Sequence, residues 1–271
     1  MSRKKTNVRK KIWTRPILSN LFFLFMGIIF IISLNTIKEI KNLDKNHKEN
    51  MKNYELSRGN KSFKPSYLNK EELKKLSNKT IVIDPGHGGF DAGTSSKDNK
   101  LKEKDLNLKI SQYLESYLKE SGCKIVMTRT SDVAMEGATN ENEDLAKRTE
   151  IINNSKGDLM VSIHINFSED PTISGVNAYI NSPSGYQRKE RTELSKEILK
   201  SLSDSGYWKT GDVLEDKLYI LKHSDMPSTL IECGFITNEG DKKKLQDDFY
   251  LQDLSARIGI GIIKYLQNEP K

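Results

Sequence analysis

From Thr80 onward, short runs of β-branched residues alternate with longer stretches in which apolar residues recur every three or four positions. That alternation is the strongest constraint on the fold, because a two-residue period suits a strand and a 3.6-residue period suits a helix. Thr80–Asp84, Lys124–Thr128, Leu159–Ile165, Val176–Ile180, Lys217–Leu221 and Ser228–Glu232 read as strands. Helical periods run through Leu106, Ile110, Leu114, Tyr117 and Leu118, then Leu145, Thr149 and Ile152, then Glu190–Leu202, and last Leu251, Leu254, Ile258 and Ile262. Gly259 and Gly261 count against the last helix, since each glycine costs about 1 kcal/mol relative to alanine. The stretch Ser131–Asn142 has no period and reads as a surface loop. Such a pattern predicts a single α/β domain with a twisted, mostly parallel (mixed) sheet flanked by helices. Chemistry in such sheets gathers outside the carboxyl ends of the strands.

Reactive side chains stand at those ends. Ile81-Val-Ile-Asp-Pro-Gly-His-Gly-Gly89 is a short buried strand stopped by Asp84, Pro85 and Gly86. His87 then sits among glycines that leave its imidazole uncrowded. His164 lies near the end of Leu159–Ile165, Glu232 ends Ser228–Glu232, and Glu103 falls in the first turn of the helix after the His87 loop. Singly, each has an ordinary explanation: a glycine turn, a hydrogen-bonded core histidine, an acid favoured by the helix dipole. Glu232 resists one, because a carboxylate after Thr-Leu-Ile should not be buried without a partner or a task. Jointly, two imidazoles and a carboxylate make a ligand set for a catalytic zinc with a fourth position for water. A further acid can then act as base toward that water. His223 ranks behind Glu103 as a ligand, and His47 falls in a polar stretch and is set aside.

Other readings of the glycine loop fail. It lacks the Gly-Lys-Ser/Thr of a phosphate loop and the glycine spacing of a dinucleotide-binding turn. No Gly-x-Ser-x-Gly elbow is present. Strand alternation points Cys233 away from Glu232, which disfavours a cysteine nucleophile.

Ile81–Gly89, Glu103-Lys-Asp-Leu-Asn-Leu108, Ser162-Ile-His-Ile-Asn166 and Ile231-Glu-Cys-Gly-Phe-Ile-Thr-Asn238 stand in the order and spacing of one family. Over roughly Lys79 to Leu266 the chain resembles the catalytic domain of bacterial zinc-dependent N-acetylmuramoyl-L-alanine amidases. The resemblance implies that His87, Glu103 and His164 hold one Zn2+ and that Glu232 is the catalytic acid/base. It implies cleavage of the amide between N-acetylmuramic acid and L-alanine in peptidoglycan, and leaves room for an activating protein partner. Leu145-Ala-Lys-Arg148 also matches a family pattern, with Arg148 read as structural.

The formal charge of +7 does not mark a nucleic-acid-binding protein. Seven of the 44 basic residues sit within residues 1–15 with no acid among them, and the remaining 37 match the 37 acidic ones. Ile17–Leu34, mostly apolar, follows that basic flank and reads as a transmembrane or signal-anchor segment, since Ser33-Leu34-Asn35 is a poor cleavage site. The expected organisation is a basic cytoplasmic tail (1–16), the anchor (17–34), a polar spacer (35–78) and the catalytic domain (79–271), exported and facing the wall. A bare catalytic domain on an anchor and spacer is similar to the germination-specific (sporulation) members of the family, which trim stem peptides from spore cortex toward muramic δ-lactam. The rivals are a vegetative amidase of cell separation or lysis, and a membrane-anchored, inactive binding protein. Cys123 and Cys233 lie at opposite edges of a parallel sheet and are expected not to pair. Tyr207-Trp208 is expected to pack in the core rather than contact sugar.

Overall fold

The computed structural model describes residues 76–181 and 186–268, with positions 25, 26 and 38. Apart from those positions and residues 76–78, the anchor and the spacer expected from the sequence lie outside the described residues. Among the described residues no helix is long and apolar enough to cross a membrane.

The elements follow in the order β1 (Thr80–Pro85), α1 (Glu103–Lys119), β2 (Lys124–Met127), α2 (Glu141–Asn154), β3 (Leu159–Asn166), β4 (Val176–Asn181). Then come α3 (Arg188–Ser203), β5 (Thr210–Asp216), α4 (Tyr219–Lys222), β6 (Ser228–Phe235), α5 (Glu239–Leu245) and α6 (Asp248–Asn268). The strands form a sheet in the order β2-β1-β3-β6-β4-β5. Neighbours pair parallel except β4 with β6, which run antiparallel. The domain is therefore α/β with a mostly parallel sheet, as the alternation of elements predicts.

Period-two alternation divides the sheet's side chains between two cores. Ile81, Ile83, Leu159, Val161, Ile163, Ile231 and Cys233 face α1, α3 and α6, whose Leu114, Ile198 and Ile258 are fully buried against them. Each such side chain stabilises the fold by about 1.5–3 kcal/mol. Val82, Met160 and Leu230 face the other way and pack with Ile152 of α2 and Ile220 and Leu221 of α4. The same alternation carries Asp84, Ser162, His164 and Glu232 onto this second face, where the core is thin and polar chemistry can be housed.

Gly259 and Gly261 do not break α6. A Cβ at position 261 would lie 2.4 Å from the Ile198 Cα, so the glycine is what lets α6 and α3 approach. The expected strand Lys217–Leu221 is corrected: the chain there is a junction followed by the short helix α4, and the strand is Thr210–Asp216, an edge strand with little apolar content. The expected loop Ser131–Asn142 also ends sooner, because the Asn140 side chain accepts a hydrogen bond from the Glu143 backbone N at 3.1 Å and starts α2 at Glu141. Glu232 does not end its strand; β6 continues to Phe235. Helix α5, which has no apolar period, is capped by the Asn238 side chain, which accepts from Gly240 N and Asp241 N.

Candidate metal centre

β1 delivers its loop to the carboxyl edge of the sheet, where the Gly86 N–H donates to the Ile163 carbonyl of β3 at 3.0 Å. His87 adopts φ 61°, a left-handed conformation that a non-glycine residue holds only when its surroundings insist. Two buried guanidinium groups do so. Arg148 donates to the Pro85 carbonyl at 2.7 Å and the His87 carbonyl at 2.6 Å, and Arg129 donates to the Pro85 and Gly86 carbonyls at 2.9 Å each. Three consecutive carbonyls are thereby fixed by two side chains. Arg148 is itself locked by Asp144 at 2.5 Å and Asp84 at 2.9 Å. Asp84 accepts further bonds from Thr128 at 2.6 Å and Ser162 at 2.7 Å. Burial alone would raise the Asp84 pKa, but Arg148 and these hydroxyls outweigh it and hold the carboxyl below its usual range.

The His87 ring is oriented from both sides. Asp91 Oδ2 lies 2.6 Å from Nδ1, and Glu103 Oε1 lies 3.2 Å from Nε2. A carboxylate behind the far nitrogen of a ligating imidazole is the usual way such a ring is aimed at a metal. Burial would lower the His87 pKa, but Glu103 and Asp91 overcome it and raise it to about 9.

Glu103 opens α1 and is nearly buried. Its Oε1 lies 3.0 Å from His164 Nδ1 and accepts from the Ile165 N–H at 3.1 Å, while Oε2 accepts from the Thr94 N–H at 2.8 Å. Burial pushes its pKa up; the bonds from His164 and His87 more than reverse that and drive it well below the carboxylate range. Two glycines make the convergence sterically feasible. A Cβ at Gly86 would sit 2.2 Å from the His164 ring, and one at Gly93, where φ is +64°, would sit 2.6 Å from Glu103 Oε2. The rings of His87 and His164 meet edge to face with centroids 4.9 Å apart.

One donor atom from each of His87, Glu103 and His164 falls within 4.8 Å of the others, so these side chains could hold a metal ion. Two imidazole nitrogens and one carboxylate oxygen, with room for water or substrate, fit zinc. Glu232 stands beside the trio as the register partner of His164 across β3 and β6. Its Oε2 is buried without a hydrogen-bond partner in the described structure. Burial raises its pKa to about 7, with the charge of Glu103 adding and His164 and His87 subtracting. A cavity of about 310 Å³ opens from the two imidazoles toward α2 and the β5–α4 junction.

His223, the reserve ligand, lies apart at the end of α4 with its ring 4.3 Å from that of Tyr219. Both cysteines are free and buried, and burial pushes the Cys233 thiol far above its usual range, which removes it as a nucleophile. Trp208 is buried and donates from Nε1 to Asp253 at 3.2 Å. The sequence reading named His87, Glu103, His164 and Glu232 but missed Asp84, Asp91 and Arg129. Asp91, four residues past His87 in the same glycine-rich loop, carried a usable signal; Asp84 and Arg129 carried none beyond sitting at strand ends.

The model of the N-acetylmuramoyl-L-alanine amidase family matches residues 81–264. Among the chains similar to this one is the uncharacterised protein YqiI of Bacillus subtilis, 35% identical over 190 residues, 70% of this chain and 86% of that one. The germination-specific N-acetylmuramoyl-L-alanine amidase of the same organism is 31% identical over 213 residues, 75% of this chain and 88% of that one. The structure of the CwlD amidase from Clostridioides difficile in complex with the GerS lipoprotein aligns with a TM-score of 0.64 at 36% identity, covering 70% of this chain and 99% of that one.

Proposed function

This chain belongs to the N-acetylmuramoyl-L-alanine amidase family, and on that premise we propose that it cleaves the muramyl–L-alanine amide of peptidoglycan with one zinc ion held by His87, Glu103 and His164 and with Glu232 as acid/base. The observation that carries this reading is the convergence of three donor side chains beside a buried carboxylate with a free oxygen.

An unactivated amide resists water. Zinc, when bound, lowers the pKa of water from ~15.7 to about 7 and polarises a carbonyl. The protein's residues do the rest. Glu232 Oε2, unpartnered among the described residues and with its pKa raised to about 7, is suited to take a proton from the attacking water and return it to the departing alanine nitrogen. Asp91 keeps the His87 ring turned so that Nε2 faces Glu103. The arginine clamp on residues 85–87 keeps that ring from drifting, which matters because misplacement by about 1 Å can cost a hundredfold in rate.

The role extends to spore cortex: stem peptides are removed from muramic acid on the way to muramic δ-lactam. Likeness to the germination-specific amidase of B. subtilis supports this assignment. An activating lipoprotein partner is part of the proposal, supported by the complex in which the CwlD relative was solved. Residues 1–16 stay inside, 17–34 anchor the chain, 35–78 space it, and the domain from 79 onward faces the wall. The test is muropeptide analysis after digestion of stem-peptide-bearing glycan with and without zinc. Zinc-dependent release of free stem peptides supports the reading, and an unchanged muropeptide profile in both conditions overturns it.

A further inference from the structure

The cavity that opens from His87 and His164 is walled by the first turn of α2 and by the junction Lys217–Ile220 between β5 and α4. Its floor is apolar, with Leu145, Leu218 and Leu230 among the lining. Its charges are not balanced internally. Asp84 and Asp144 are taken up by Arg148, and Asp91 by His87. Arg148, one of the two lining Arg or Lys residues, has every guanidinium nitrogen engaged by a protein acceptor. Lys217 is the other. It is exposed, and among the described residues its ammonium forms no ion pair. A cation that lines the same cleft as the two imidazoles, unpaired among the described residues, is suited to an anionic group of the substrate.

The substrate has two arms. The glycan arm offers hydroxyls and acetamides and carries no charge close to the scissile bond. The peptide arm begins with alanine, whose methyl suits the apolar floor. It continues with a D-glutamyl residue linked through its γ-carboxyl, so that the α-carboxylate is left free. Two residues of extended chain reach roughly 7 Å, and a cavity of about 310 Å³ has room for a dipeptide.

We propose that this cavity takes the first two residues of the stem peptide and that Lys217 is the specificity residue, reading the free α-carboxylate of the second residue. The inference rests on the amidase reading given above. Glu141, in the first turn of α2, is exposed, lines the same cavity and forms no ion pair among the described residues. Amidation of the second residue's α-carboxyl, a neutral and isosteric change, removes the charge that Lys217 would read.

The experiment uses the full zinc-loaded chain and two muramyl tetrapeptides that differ only in carrying D-glutamate or D-isoglutamine. The wild type should show a KM about tenfold lower for the acid than for the amide, the scale of one hydrogen bond to a charged group, at similar kcat. Lys217→Ala should raise KM for the acid until the two substrates are equal, and Lys217→Glu should reverse the preference. Lys222→Ala, an exposed charge on α4 outside the cavity, should leave both KM values alone. A wild type that cleaves both substrates with equal KM overturns the specificity inference alone, as does a Lys217→Ala that keeps the preference or a Lys222→Ala that loses it. A wild type that cleaves neither overturns the amidase reading and this inference with it.

Discussion

Glu103 and Glu232 are carboxylates placed around the same pair of imidazoles, and their surroundings treat them in opposite ways. Around Glu103, the backbone N–H groups of Thr94 and Ile165 and both histidines satisfy the oxygens and hold the carboxyl ionised. Around Glu232, one oxygen goes without a donor among the described residues, and burial holds its pKa up to about 7. Two groups of one kind are thus pushed apart in proton affinity, the pattern that separates a fixed anion from a group that exchanges protons. In the proposed function the permanent anion serves as the metal ligand and the other as the acid/base.

The sharpest way to break this contrast is to exchange the consequences of the two deletions. Glu232→Ala should lower turnover about 10²- to 10⁴-fold, the usual worth of a general acid/base, while zinc content by metal analysis stays near that of the wild type. Glu103→Ala, like His87→Ala and His164→Ala, should lose the metal as well as activity. If Glu232→Ala lost zinc and Glu103→Ala kept it, the two roles would be reversed.

A stability measurement on the metal-free protein sharpens the same contrast. The folded pKa of Glu232, about 7, lies above its unfolded value of 4.5, so folding favours the protonated form. Its contribution to stability is fully present below 4.5 and is lost as the pH rises through 7. Glu232→Gln removes that loss. At pH 8 the metal-free variant should be more stable than the wild type by about 3 kcal/mol, and at pH 4.5 the two should coincide. Denaturant titration at the two pH values reads this directly, and a constant difference across them would show that Glu232 is not a strained carboxylate.

The smallest effect concerns the scaffold on the ligand side. Arg148→Lys preserves a charge but cannot reach Asp84, Asp144, Pro85 and His87 together. Zinc affinity should fall about 10- to 100-fold, as is usual when a group behind a metal ligand is altered, with the fold retained by circular dichroism. Unchanged affinity would mean that Arg129, Asp91 and Glu103 hold the His87 ring without help from Arg148.

How legible the molecule was in its sequence varies with the kind of signal. Strands β1, β3 and β6 were plain because burial on both faces leaves near-continuous apolar runs, and α1 and α6 because their stripes repeat over several turns. Lys217–Leu221 misled for a physical reason. Leu218, Tyr219, Ile220 and Leu221 suit a strand or a short helix equally, and the choice was made by the second core, which buries Ile220 and Leu221 from α4. The true strand Thr210–Asp216 was hidden because it lies on the sheet edge and exposes most of its side chains. Pairing with β4, not its own composition, makes it a strand.

The sequence by itself determined the α/β alternation and pointed to His87, Glu103, His164 and Glu232 as candidates, near strand ends and at a helix start. These follow from periodicities and from residue types that burial does not tolerate without a reason. Only the tertiary structure decided which carboxylate is held ionised and which is left wanting a proton. It also decided that Asp84, Arg129 and Arg148 brace the loop under His87, and that Lys217 lines the cleft unpaired among the described residues. Those outcomes depend on donors brought from far along the chain, such as Ser162 on Asp84 and the Ile165 N–H on Glu103. A local pattern contains no record of them.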